Sequence, residues 1–209
     1  MRYGREYLVG FLLRCVVWVL MHVVYRLTKV GVENIPKRGP GVIVCNHVSF
    51  LDALVITAAC PRPIRWVMDH RIYRTPVMSW LFKLLRAIPI APEREDRETL
   101  ERAYDRIARA LDKGELVGIF PEGRLTNTGD ILEFRGGVMR ILERYPVYVV
   151  PMALSGLWRS LFARNPEKYR WWTRIWPRVR VVVGEPVPPL GVTPQMLHTI
   201  VAGLRGAWR

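Results

Sequence analysis

Acidic side chains are in short supply: Asp and Glu number 18 against 32 Lys and Arg, giving a formal net charge of +14 over 209 residues. Such an excess calls for an anionic partner, either a headgroup layer or a nucleic acid. Cysteine is scarcer still. Cys15, Cys45 and Cys60 are odd in number and lack C-x-x-C spacing, which excludes a disulfide framework and predicts buried thiols in a reducing compartment. Four histidines with no Cys/His cluster leave no zinc site, and neither a metal nor a bound cofactor is expected. The strained G-x-S-x-G turn of a hydrolase is missing too, since Ser155 lacks the leading glycine and Ser49 reads as a helix cap. No repeat, low-complexity tract or interdomain linker interrupts the chain. Half of its residues are hydrophobic, enough for one sizeable core.

Apolar runs of four to eight residues alternate with helical patterns. Strands are predicted over residues 41–45, 64–68, 88–91, 116–120, 147–154 and 178–184, and helices over 50–59, 77–86 and 135–144. The clearest helix covers 96–113, with Leu100, Ala103, Tyr104, Ile107, Ala108 and Leu111 on one face and Gly114 as its stop. Thr193 and Pro194 start a terminal helix. This alternation predicts an α/β fold, a mostly parallel central sheet covered by helices. Sites in such folds form on loops that follow strands.

Two of those loops carry chemistry. Asn46-His47-Val48-Ser49-Phe50-Leu51-Asp52 places a His on a strand-to-helix connection and an acid in the helix's first turn. There Asp52 suits the helix dipole, and its carboxylate can reach one imidazole nitrogen, leaving the other to take a proton. The same spacing also fits a loop His ahead of a capped helix. Downstream, Phe120-Pro121-Glu122-Gly123-Arg124-Leu125-Thr126 follows another buried strand, and Arg135 opens a helix eleven residues after Arg124. Guanidinium forks bind phosphate bidentately, and a helix N-terminus favours anions, so Gly123, Arg124 and Arg135 form a candidate oxyanion or phosphate cradle. Ordinary turn chemistry accounts for either segment alone.

Together these segments resemble the glycerolipid acyltransferase family, whose best-known members are 1-acyl-glycerol-3-phosphate acyltransferases. The resemblance spans residues 29–185: N-H-x-S-x-x-D at Asn46 to Asp52, F-P-E-G-x-x-S/T at Phe120 to Thr126, and the hydrophobic block with proline at Val149-Val150-Pro151-Met152-Ala153. One block departs from the pattern. In the stretch from Ala87 to Arg94 a proline stands where many members carry an Arg that holds the acceptor phosphate, and Arg94 lies two residues along. The resemblance implies a lysophospholipid O-acyltransferase making phosphatidic acid from an acyl-CoA or acyl carrier protein thioester. A lysophosphatidylethanolamine-type acceptor is the alternative, and a hydrolase using His-activated water or a silent lipid-binding module stand further off. It implies His47 and Asp52 as the catalytic pair, with Glu122, Gly123, Arg124 and Arg135 binding substrate. It also implies association with the cytoplasmic face of the inner (plasma) membrane.

Residues 1–28 are expected to form a membrane-associating helix ahead of an acyltransferase domain over 29–209. Arg14 interrupts the apolar stretch 8–25, and a central Arg costs about 2.5 to 3.5 kcal/mol on insertion scales, so an interfacial or half-inserted helix is expected instead of a simple span. No small-residue cleavage site follows the stretch, which argues against a signal peptide. On a helical wheel Arg14, Trp18, His22, Tyr25, Arg26 and Lys29 share a side, while Leu12, Val16, Val19, Leu20, Val23 and Leu27 fall elsewhere. Packing on the domain core explains such a stripe equally. Trp158, Trp171, Trp172 and Trp176, interleaved with Arg159, Arg164, Lys168, Arg170, Arg174, Arg178 and Arg180, suit an anionic membrane surface or stacked bases. The apolar N-terminus and the lack of any nucleic-acid-binding motif favour the membrane, with no nucleic-acid partner.

Overall fold

A computed structural model describes residues 2–76, 79–160 and 176–207. Helix α1 (Arg2–Val24) leads into strand β1 (Arg26–Val30), followed by β2 (Gly41–Cys45), α2 (Asp52–Ala59), β3 (Ile64–Asp69) and the short α3 (His70–Tyr73) and α4 (Ser79–Leu84). Then come β4 (Ile88–Ile90), α5 (Arg97–Asp112), β5 (Leu116–Ile119), α6 (Gly137–Arg144), β6 (Val149–Ser155), β7 (Arg178–Val183) and α7 (Pro194–Arg205).

The strands form one seven-stranded sheet in the order β1-β7-β6-β2-β5-β3-β4. Pairing is parallel from β6 through β4 and between β1 and β7, and antiparallel where β6 meets β7. The fold is therefore the expected α/β type with a mostly parallel, helix-covered sheet. Helices α5, α6 and α7 bury their apolar stripes on one face, with Ile107, Leu111, Ile141 and Val201 against Val42, Val44 and Val149. On the other face α1, the Tyr25 that follows it and α2 pack Met21, Tyr25, Val55 and Ile56 against Ile43, Val150 and Val181. A sheet covered on both faces needs strands that are apolar throughout, and β2, β5 and β6 are buried along their whole lengths.

Several local expectations shift. Helix α2 starts at Asp52, not Phe50, because Ser49 does not cap it: its Oγ accepts from Leu51 N at 3.3 Å, closing a local turn instead. Ala110, not Ala108, completes the buried face of α5, whose Asp96 cap accepts from Thr99 N at 2.8 Å. Helix α6 begins at Gly137, two residues after Arg135. The expected 77–86 helix is α4 over Ser79–Leu84, its first two residues lying outside the described ones, and α3 was not anticipated.

The largest difference is at the N-terminus. Arg26, Leu27 and Lys29 are not on the helix but in β1, paired with Arg178, Val179 and Val181 of β7. Within α1, Val17, Met21 and the following Tyr25 face the domain, and Arg14 Nη2 donates to Cys60 O at 3.2 Å. Arg14 and Tyr25 thus face inward, while Leu12, Val16, Val19, Leu20 and Val23 are exposed. No helix among the described residues is long and apolar enough to cross a membrane. Cys45 and Cys60 are buried thiols as expected, whereas Cys15 is exposed on α1. Arg164, Lys168, Arg170, Trp171, Trp172 and Arg174 lie outside the described residues.

Candidate active site

Strands β2 and β5 are neighbours and run parallel, so the loops leaving their C-terminal ends meet. The first holds His47 and the second holds Glu122 to Thr126. Asp52, fully buried at the start of α2, accepts from three directions through Oδ2: His47 Nδ1 at 2.8 Å, Val48 N at 2.6 Å and Ser49 N at 2.9 Å. Two backbone donors hold the carboxylate still, and the carboxylate in turn fixes the imidazole's tautomer, with the proton on Nδ1. Burial pushes the Asp52 carboxyl above its usual range, and the contacts to His47, Ser49 and Val48 pull it back. His47 is partly exposed, and its Nε2 makes no hydrogen bond among the described residues.

The ring plane is set from a second side. Phe120 stacks on His47 with centroids 4.0 Å apart and 8° between planes, and Trp66 stacks on Phe120 at 4.9 Å and 10°. Trp66 is anchored by Nε1 donating to Thr57 Oγ1 at 2.9 Å. The pile is possible because residue 118 is glycine: a Cβ there would stand 2.7 Å from the indole.

Glu122 joins the two loops. One oxygen accepts from His47 N at 2.7 Å and the other from Leu132 N at 2.9 Å, while Thr126 N donates to His47 O at 3.1 Å. Glu122 is buried, which raises its carboxyl to about 7 against the lowering effect of the two N–H groups. Asn46 continues the sheet beyond Cys45, its amide donating to Leu154 O at 3.0 Å and accepting from Leu154 N at 2.8 Å. Asn46 and Phe120 open the two sequence blocks without a role assigned to either, and Trp66 was not singled out. Their signals were weak, an amide beside a His and two aromatics at strand positions, and each needs the tertiary pairing to acquire meaning.

Gly123 adopts φ +69° in the turn, and a Cβ there would lie 3.2 Å from the Arg135 guanidinium. The structure thus brings Arg135 onto the Gly123 turn, held by Arg135 N donating to Pro121 O at 2.9 Å. Arg124 and Arg135 are exposed, and neither forms an ion pair with a carboxylate among the described residues. Gly123 N differs from the expected oxyanion donor: it donates to Phe120 O at 3.1 Å to close the turn. Arg94 sits in an exposed turn after β4. No group of three or more metal-ligating side chains occurs among the described residues.

A buried acid, an imidazole with one free nitrogen and a pair of unneutralised arginines on an α/β scaffold form an arrangement with the groups that general-base chemistry on an anionic substrate requires. Residues 26–155 match the family model named Acyltransferase, and the chain belongs to that family. It is 29% identical over 133 residues to the chloroplastic 1-acyl-sn-glycerol-3-phosphate acyltransferase LPAT1 of Arabidopsis thaliana, covering 63% of this chain and 36% of that one. It is 27% identical over 137 residues to the 1-acyl-sn-glycerol-3-phosphate acyltransferase of Borreliella burgdorferi, covering 65% and 53%. The chain therefore spans between about a third and about a half the length of these two curated relatives. The crystal structure of the 1-acyl-sn-glycerophosphate (LPA) acyltransferase PlsC from Thermotoga maritima shares the fold, with a TM-score of 0.76 over 100% of this chain and 85% of that chain at 21% identity.

Proposed function

We propose that the protein is a 1-acyl-sn-glycerol-3-phosphate O-acyltransferase that works at a membrane surface, with an acyl-CoA or acyl carrier protein thioester as donor. The observation that carries the reading is the 2.8 Å contact between His47 Nδ1 and Asp52, which leaves Nε2 unbonded on a loop tied to the Gly123–Arg124 turn. The names of the relatives supply the acceptor. Arg124 and Arg135 hold the lysophosphatidic acid phosphate and so present its free hydroxyl to His47.

His47 Nε2 takes the hydroxyl proton as the oxygen attacks the thioester carbonyl. The new C–O bond gives a tetrahedral oxyanion, and N–H groups of the turn other than that of Gly123 stabilise it. Collapse breaks the C–S bond, and the imidazolium returns the proton to the leaving thiolate. No acyl-enzyme forms. Asp52 stabilises the imidazolium, and Glu122 acts by holding the two loops together. The outward apolar face of α1 supports an interfacial helix, and a cytoplasmic inner-membrane face suits cytosolic thioester donors.

The test is transfer of a labelled acyl group from a thioester to lysophosphatidic acid, with His47→Ala as control. Label in phosphatidic acid, reduced at least about 10²-fold by the substitution, is the expected result. The proline in the 87–94 stretch favours lysophosphatidylethanolamine as the second reading, and label only in phosphatidylethanolamine would select it. Free fatty acid alone would indicate hydrolysis.

A further inference from the structure

A second cationic site lies at the other end of the sheet. Arg65, Lys83, Arg86, Arg106, Arg109 and Lys113 line a cavity of about 410 Å³, completed by Tyr73 and Ala87. Arg65 is the second residue of β3 and pairs with Val117, the second residue of β5; Ala87 precedes β4, and Lys113 caps the C-terminus of α5 ahead of β5. All these are N-terminal ends of parallel strands, whereas His47 and Gly123 follow C-terminal ends. Strands rise about 3.3 Å per residue, so β5 alone separates the two sites by roughly 10 Å along its axis.

The charge there is not balanced from within. Glu115 is the one carboxylate that reaches the cluster among the described residues, pairing with Arg65 at 3.1 Å and Arg86 at 3.0 Å. Lys83, Arg106, Arg109 and Lys113 have no carboxylate partner among the described residues, and all four are exposed. Helix α5 separates its charges by face. Glu98 pairs with Arg102, and Glu101 and Asp105 turn to Arg144 on α6, while Arg106, Arg109 and Lys113 recur at i, i+3 and i+7 toward the cavity. Burial holds the Arg65 guanidinium below its usual range, and Arg86 and Arg106 add to that push. Crowded cations repel one another, and a bound polyanion relieves the repulsion. Arginines further favour phosphate because their planar forks match its oxygens, and the volume is that of a small-ligand pocket.

We propose that this cavity binds clustered phosphate groups on a nucleotide-sized ligand, separately from the acceptor phosphate at Arg124 and Arg135. Two sources carry that chemistry: a diffusible nucleotide bisphosphate, such as the nucleotide end of a coenzyme, or the headgroup of an anionic phospholipid. The experiment compares the wild-type chain with an Arg106→Glu, Arg109→Glu double variant and with Arg124→Ala, each checked for folding by thermal melting. One arm titrates adenosine 3′,5′-bisphosphate by calorimetry. The other measures sedimentation with phosphatidylcholine vesicles with and without phosphatidylglycerol, an anionic lipid that is neither acceptor nor product of the proposed reaction, so that only the charge-dependent part is scored. The expected result is at least roughly tenfold weaker binding of one probe by the double variant, weakened further by salt, with Arg124→Ala unchanged. Loss in the nucleotide arm identifies the diffusible source, and loss in the vesicle arm alone identifies the headgroup. Binding of both probes at wild-type strength by the double variant, no binding by the wild-type chain, or a loss that follows Arg124→Ala would overturn the proposal. None of these readouts requires acyl transfer, so they stand apart from the proposed activity.

Discussion

Asp52 is surrounded by donors, and that decides what its substitution does. Its Oδ2 accepts from His47 Nδ1 and from the N–H groups of Val48 and Ser49, all in a fully buried position. Asp52→Asn must place either an amide N–H against those donors or an uncharged oxygen where a carboxylate stood. An imidazolium formed during proton transfer then lacks its counter-charge. The expected outcome is a loss of about 10² or more in kcat with a smaller change in acceptor KM, measured by steady-state transfer to lysophosphatidic acid. Glu122 gives a different signature. Its folded carboxyl titrates at about 7, above the ordinary 4.5, so between those values the folded state holds a proton that the unfolded state has released. Stability from this group is therefore complete below about pH 4.5 and is lost as pH rises through 7. Glu122→Gln, which cannot titrate, is expected to abolish that part of the slope, so the stability gap between wild type and variant narrows from pH 5 to pH 8. Denaturant midpoints at the two pH values check it; an unchanged gap would remove Glu122 as the source. His47, Asp52 and the Glu122–Arg124 turn were legible in the sequence because each is a short run after an apolar strand. The roles of Asn46 and Phe120 were not, since an amide that mimics backbone and a ring that stacks on imidazole depend on partners 108 and 73 residues away.

At the level of elements, boundaries were legible where a local cap declares them. Asp96 and Thr193 each accept a backbone N–H three residues on, which is why α5 and α7 begin where the pattern put them. Asp96→Ala is expected to cost about 0.5 to 2 kcal/mol in equilibrium unfolding and leave acyl transfer near wild type at 25 °C, because its partners, Thr99 and Arg74, belong to neither the dyad nor the Gly123 turn. Strand β1 was missed for the opposite reason. Arg26-Leu27-Thr28-Lys29-Val30 alternates in burial, but it follows the apolar helix without a breaker, and only pairing with β7 makes it a strand. Gly118 shows how a strand residue reaches the site without touching it. Gly118→Ala would set a methyl group 2.7 Å from the Trp66 ring, so the indole must move, and Phe120 and His47 are stacked in sequence upon it. The expected result is a several-fold fall in kcat together with altered tryptophan fluorescence, in a chain that still unfolds cooperatively. A fall in kcat with no spectral change would deny that the effect travels through the stack.

For the whole molecule, the question is what the exposed side of α1 meets. The domain uses one narrow stripe of the helix, with Val17 and Met21 packed and Arg14 hydrogen-bonded to Cys60 O, which leaves Phe11, Leu12, Val16, Val19, Leu20 and Val23 each about half exposed or more. A contiguous apolar face of that extent is costly in water, at roughly 25 cal/mol per Å² of apolar surface. Such a face fits the interfacial helix proposed above, with Arg14, the charge that makes a span expensive, turned toward the protein. A membrane lying along this face would leave the fold intact when the face is made polar, because none of its residues enters the core. Val16→Ser, Val19→Ser and Val23→Ser together are therefore expected to preserve the thermal transition within a few degrees while reducing sedimentation with phosphatidylcholine vesicles at least roughly tenfold. Transfer to a lysophosphatidic acid presented in vesicles should fall with binding, whereas transfer to the same acceptor in detergent should persist. Loss of the thermal transition would instead assign the face to packing within the protein, and unchanged sedimentation would remove α1 as the docking element.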